Sequence, residues 1–268
     1  NKGLLSMPPN SQPANPTHTA ARQQAKRYRQ YNKKQTKDKV TKDMEHKQLM
    51  KTARLAGVWY LLLAISGVLG FMVFHPQVFV ADDPRQTLNN LTTLESVSRI
   101  RLLLELGIIV SQALAAVWFY KLFADINRWA AASLGIWGTV NAVVIMISAI
   151  SMGAAIEIAN SSAQTFEEKT ILIQLLSNVI KNSWGVGGLF FGLWLIPMGY
   201  IVTSSKRMPV WLGWTLIIGG AGYLVLTIIK YAGVQSPYVD SLVIPATVGE
   251  FWMIGYLLMY GIRPAIKS

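Results

Sequence analysis

The sequence predicts an all-α fold: a polytopic membrane protein in which a bundle of six transmembrane helices follows a basic N-terminal tail. Three observations carry that expectation. Of 268 residues, 52% are hydrophobic and only 14% charged, where soluble chains carry roughly 25% charged residues. The apolar residues gather in six runs, each close to the roughly 20 residues that cross a hydrocarbon core. The charge breaks at Arg54: residues 1–54 hold 13 Lys and Arg against three acids, and the remainder holds 12 against ten.

The tail, residues 1–53, comes first. Residues 1–20 are rich in Pro, Ser and Asn with no periodic apolar face, a composition that predicts disorder. Residues 21–53 are strongly polar and fit a solvated helix from Ala21 through Met50 that feeds the first span. No signal peptide is expected before Arg54. The membrane domain, residues 54–264, follows with spans at about 55–75, 101–123, 132–156, 184–203, 209–230 and 242–262. Aromatic residues such as Trp59, Trp118, Trp129, Trp184, Trp211 and Tyr260 sit near the run ends, where indole and phenol rings favour the headgroup level.

The positive-inside rule then puts the N-terminus in the cytoplasm, and six spans return Arg263 and Lys267 to the same side. Lys121, Arg128, Lys206 and Arg207 occupy short loops on that side. The opposite loops, 77–99 and 160–183, are longer. Thr92-x-x-Glu95 and Thr165-x-x-Glu168 both have capping-box spacing. The second precedes an amphipathic pattern that fits either a surface helix or a long extension of span four. Pro197 and Pro245 are expected to kink their helices.

Polar groups inside lipid need an explanation. Glu105 in span two and Glu250 in span six are the leading candidates, at roughly 8 and 12 Å from the outer edge by helical rise. Glu105 shares a helix face with Arg101 and Gln112, and Asn141 adds a polar group in span three. One reading has Glu105 and Glu250 lining an outward-facing cavity as proton carriers or ligand groups. The other has Arg101 neutralising Glu105 while Glu250 bonds neighbouring Thr, Tyr or backbone groups. Small residues form a second class: Gly107 and Ser111, Gly188 and Gly192, and Gly219 and Gly222 are expected to let helices approach closely.

The absence of cysteine excludes disulfides and thiolate metal sites. The three histidines, His18, His46 and His75, are read as lying outside the spans, which argues against an intramembrane haem or histidine metal site. No cofactor or metal is expected. Walker, Gly-x-Ser-x-Gly and His-Glu-x-x-His motifs are missing, so an enzyme is the less favoured class. The basic tail fits anionic lipid headgroups better than nucleic acid. The function expected first is an accessory or structural subunit packed among other membrane subunits; the alternative is a small transporter or ligand-binding bundle using Glu105 and Glu250.

The stretch Arg54-Leu-Ala-Gly57-Val-Trp-Tyr60-Leu, with Gly67 and Gly70, resembles the opening of a bacterial membrane-protein group known as domain of unknown function 4386. Phe190-Phe191-Gly192-Leu193, Gly199-Tyr200, Pro209, Leu212-Gly213 and Gly222-Tyr223-Leu224 extend the resemblance. It ends with Pro245, Gly249-Glu250 and Tyr256-Leu257-Leu258. The resemblance covers about residues 50–264 and implies six spans, a bacterial inner-membrane location and no known activity. Two departures accompany it: the tail is longer than the family's usual leader, and Trp194 stands where many members carry His.

Overall fold

The computed structural model describes residues 16–234, 236 and 238–263. The chain divides into two units, residues 1–47 and 48–268. In chain order the elements are α1 (Pro16–Gly67), a π-helical turn (Val68–Phe74), α2 (His75–Val78), α3 (Pro84–Thr93), α4 (Glu95–Phe123) and α5 (Arg128–Asn160). They continue with α6 (Phe166–Ser205), α7 (Val210–Tyr231), a 3-10 turn (Val239–Val243) and α8 (Ile244–Met259). Six helical stretches are long and apolar enough to cross a membrane: Lys26–Val78, Glu95–Phe123, Arg128–Asn160, Phe166–Ser205, Val210–Tyr231 and Val239–Met259. The protein is a multi-span, all-α membrane protein.

In the first unit, the described side chains of residues 22–47 are exposed along α1. The expectation of disorder for residues 1–20 lies largely outside the described residues, and Pro16–Ala20 already belong to α1.

In the second unit, α4, α5, α6, α7 and α8 pack as sequential neighbours. The part of α1 within this unit meets both α4 and α8. A Cβ on Gly57 would stand 3.0 Å from Leu257 Cβ, and one on Gly107 would stand 3.1 Å from Ser66 Oγ. Close backbone approach joins the later helices. A Cβ on Gly192 would lie 2.6 Å from the Gly220 carbonyl oxygen, and one on Gly188 would lie 2.7 Å from Thr227 Oγ1. Gly219 and Gly222 press in the same way on Ala246 and on the Leu242 carbonyl. Ser111 turns its hydroxyl back to the Gly107 carbonyl at 2.5 Å, so its polar atom is satisfied within its own helix. Contact between bare backbones is what small residues provide where lipid gives helices no hydrophobic drive to associate.

Four sequence expectations need correction. Loop 77–99 contains a helix, α3. Asp83 accepts from the Gln86 amide at 2.9 Å and Pro84 takes the first helical position, a start signal by residue type alone. Leu88 and Leu91 are buried and join Ile156 and Ile173 in a satellite core. Because α3 runs through Thr93, Thr92 donates to the Leu88 and Asn89 carbonyls and Glu95 pairs with Arg99, so no capping box forms there. Pro245 lies in the first turn of α8, where its missing N–H has no helical partner to lose, rather than at an internal kink. Finally, the first candidate spanning helix, Lys26–Val78, takes in His46 and His75 rather than leaving them outside it. At Thr165 the capping box does form, with Glu168 accepting from the Thr165 amide at 2.8 Å, and α6 then continues unbroken to Ser205.

At the end of the bundle where α4, α6 and α8 finish, Arg207 Nε donates to the Arg263 carbonyl at 2.6 Å, and the Arg263 amide donates to Arg207 O at 3.2 Å. Burial lowers the Arg207 pKa below its ordinary value, and nearby Asp125 acts in the opposite sense.

Candidate functional site

The buried polar groups of α4, α5 and α6 fall into layers set by helical register. In the first layer, Arg101 and Glu105 are four residues apart on α4 and therefore adjacent on one face. Arg101 Nη1 donates to Glu105 Oε2, and both side chains are only 1% exposed. Ser148 on α5 donates to Glu105 Oε1 at 2.5 Å. Trp184 Nε1 on α6 lies 3.0 Å from the same oxygen and 3.1 Å from Ser148 Oγ. The carboxylate thus faces three donors from three helices. Charge-assisted bonds of this kind are about twice as strong as neutral ones.

Arg101 is less well served. Its Nε and Nη2 are buried without a hydrogen-bond partner among the described residues. Its guanidinium rests on the Phe71 and Phe79 rings, at 5.4 and 5.6 Å from their centroids. Those rings flank His75 in a stack, with centroids 5.4 Å apart for Phe71–His75 and 4.9 Å for His75–Phe79. Phe71, His75 and Phe79 are spaced four residues apart, and the ladder begins in the π-helical turn. Such turns recur at functional positions in helices.

The second layer comes seven residues along α4 and α5 and ten along α6. On antiparallel neighbours these steps run the same way, roughly 10 Å further into the bundle. It contains Gln112, Asn141 and Trp194, all fully buried. A Cβ on Gly138 would lie 3.2 Å from Trp194 Nε1 and 3.3 Å from Gln112 Nε2, so both groups converge on that glycine. Asn141 faces Gly187, whose Cβ would lie 3.2 Å from Asn141 Oδ1. Both amide groups and the Trp194 indole N–H lack partners among the described residues. Each buried unpartnered polar group costs on the order of 1–3 kcal/mol.

A third group adjoins the second. Tyr60 on α1 packs edge-on against Trp194 with centroids 5.0 Å apart, and its hydroxyl donates to Glu250 Oε1 on α8 at 2.8 Å. Among the described residues, Glu105 and Glu250 therefore share no bonding partner. They belong to separate groups with Gln112, Asn141 and Trp194 between them.

One family model, described as Domain of unknown function (DUF4386), matches residues 55–261. The chain belongs to that family. An uncharacterized protein of Archaeoglobus fulgidus is 35% identical over 48 residues, which is 18% of this chain and 30% of that protein. The chain thus spans under a third of that relative's length. No solved structure matches the chain. The DUF4386 match begins at Leu55, so it includes Tyr60 and every member of the three polar groups and leaves the basic tail outside.

In this DUF4386 protein, Arg101 and Glu105 come together directly, and Gln112 and Asn141 occupy a layer deeper. Glu250 stands apart with Tyr60. Sequence reading missed Ser148, Trp184, His75 and Trp194 as members of the polar groups. Serine is too common in helices to signal by itself, Trp184 fits an interfacial belt equally well, and Trp194 stands out only as a departure from the family's His. Among the described residues, no cluster of three or more His, Cys, Asp or Glu is arranged to hold a metal ion.

Proposed function

We propose that this protein is a small transporter whose solute or proton path follows the polar layers from Arg101 and Glu105, past Gln112, Asn141 and Trp194, to Tyr60 and Glu250. The observation that carries this reading is the unpartnered middle layer. Static helix association is served by pairs that satisfy each other, whereas Gln112, Asn141 and Trp194 leave five polar atoms without partners among the described residues. Open hydrogen-bonding capacity at that depth fits transient occupants such as water or a polar solute. Glu105 and Glu250 stand at either side of that layer. With the basic tail in the cytoplasm, as the positive-inside rule favours, the Arg101 layer lies toward the outer side.

The test uses purified full-length protein in vesicles loaded with a pH-sensitive dye and given an acid pulse. Faster proton equilibration than in protein-free vesicles is expected, with loss of the increment in Glu250→Gln. No increment, or an increment unchanged in both Glu105→Gln and Glu250→Gln, would refute the reading. Orientation is checked separately by a cysteine at position 40 in this cysteine-free chain, with labelling expected only after the membrane is opened.

The basic, exposed stretch of α1 favours a second reading, an accessory or structural subunit that docks on anionic lipid and on other membrane subunits. Stoichiometric partners retained through gentle detergent extraction would support it. A protein that purifies alone and binds anionic and zwitterionic vesicles equally would count against it.

A further inference from the structure

A cavity of about 480 Å³ lies beside the first polar layer, walled by Phe71, His75, Phe79 and Trp184, with Asn178 and Lys181 of α6 on its other side. That volume falls within the range of small-molecule sites. Phe71 and Phe79 each line the cavity and carry the Arg101 guanidinium, so one layer of rings separates that cation from the space outside. Trp184 forms the same kind of partition toward Glu105, to which its indole donates.

Formal charge alone does not choose a ligand, because Asp82 lines the rim as well as Lys181 and Glu105 offsets Arg101. Hydrogen-bonding capacity does choose. Glu105 is supplied on both oxygens, by Arg101 on one and by Ser148 and Trp184 on the other. The buried unpartnered groups behind the cavity wall, among the described residues, are Nε and Nη2 of Arg101, which can only donate, and Nδ1 of His75, which donates in one tautomer. An acceptor oxygen drawn across the ring layer would meet this surplus; an ammonium ion would add more donors. Asn178 can also donate, and Lys181 supplies a positive charge at the rim. Aromatic walls suit an apolar body attached to the acceptor group.

We propose that this cavity is a vestibule for a small organic anion of the carboxylate or phosphate class, held at the rim by Lys181 and directed toward Arg101 across the Phe71–His75–Phe79 ladder. This deepens the transporter reading, on which it rests, by naming the class of solute and the place where it first binds.

Histidine resonances report the site directly, since the chain has only three histidines. The full-length chain carrying His18→Gln and His46→Gln is labelled with 15N-histidine and placed in phosphatidylcholine nanodiscs. Benzoate should shift the His75 ring signals saturably, and benzylammonium, of similar shape and opposite charge, should not. Arg101→Gln removes a buried partner of Glu105 and can prevent folding, so the decisive variant is Lys181→Gln at the exposed rim. It should weaken benzoate binding about tenfold, the scale of one charged hydrogen bond. Inorganic phosphate that competes with benzoate identifies a free anion as a sufficient occupant. Phosphatidylglycerol that moves the His75 signals without added benzoate identifies a lipid headgroup with the same chemistry. Either result supports the anion site.

A benzoate shift that never saturates, an equal response to benzylammonium, or no effect of Lys181→Gln would overturn it. The two proposals fail separately. Proton flux without any anion response at His75 overturns the vestibule and leaves transport standing. A saturable response in a protein without flux supports the vestibule as a binding site and refutes transport.

Discussion

The Arg101–Glu105 pair offers the sharpest quantitative test of the layered core, because both side chains are 1% exposed and joined across one helical turn. Removing one partner of a buried pair costs about 3–5 kcal/mol, since the other is left as an uncompensated charge. Arg101→Met should fall in that range. Glu105→Gln keeps a carbonyl oxygen for Ser148 and Trp184, so its loss should sit near the lower limit, about 3 kcal/mol. The double variant Arg101→Met with Glu105→Gln removes both charges and keeps an acceptor oxygen for Ser148 and the Trp184 indole. It should cost only about 1–2 kcal/mol, the scale of the neutral hydrogen bonds given up.

The cycle therefore predicts a coupling energy above about 3 kcal/mol, well beyond the roughly 0.5 kcal/mol scatter of independent sites. Equilibrium unfolding in mixed micelles, followed by tryptophan fluorescence, measures all four corners. Single losses below about 1 kcal/mol that simply add would show both charges already served by water. The argument for a buried, donor-rich first layer would then fail.

Five further outcomes are expected. Tyr60→Phe takes the donor from Glu250 Oε1 and should destabilise by about 1.5–3 kcal/mol, the range for a bond to a charged group, measured in the same unfolding assay. Gln112→Leu removes two unpartnered polar atoms from the interior and should raise stability by about 1–3 kcal/mol, while the vesicle assay shows reduced flux. Gly192→Ala drives a Cβ toward the Gly220 carbonyl and should cost about 1–3 kcal/mol by overpacking. Gly153→Ala meets nothing within 4 Å and should gain up to about 1 kcal/mol from helix propensity. Lys206 caps α6 in the left-handed region at φ +54°, so Lys206→Gly should raise the unfolding midpoint, with a gain of about 1 kcal/mol from relieved backbone strain.

Much of this architecture is legible in the sequence because lipid imposes a coarse requirement: long apolar runs with every backbone group satisfied internally. That requirement gave all six spans. The start of α6 was legible through Thr165 and Glu168, since a capping box is a local signal. The same spacing misled at Thr92 and Glu95, where burial of Leu88 and Leu91 favoured a helix that runs through Thr93. In the site, Arg101 meets Glu105 because four residues make one turn. The remaining partners come from other helices. Ser148 reaches Glu105 only through the packing of α5 on α4, and Tyr60 reaches Glu250 across 190 residues of chain. No periodicity within one helix carries such information.

The energetics of the three groups differ in a way that bears on function. In the first, both oxygens of Glu105 accept hydrogen bonds, and in the third, Glu250 accepts from Tyr60 on Oε1; such arrangements can persist for stability alone. The middle layer cannot be accounted for in that way: apolar residues at Gln112 and Asn141 would fill similar volume with no unmet hydrogen bonds, which should be the more stable solution. A scaffold selected only to hold helices together gains nothing from those amides. A path that must accept a passing polar group gains sites that are free before it arrives. The opposed effects expected of Gln112→Leu, higher stability with lower flux, follow from that difference. A stability gain with flux unchanged would show the amides to be incidental, and the case for a path through the bundle would lose its foundation.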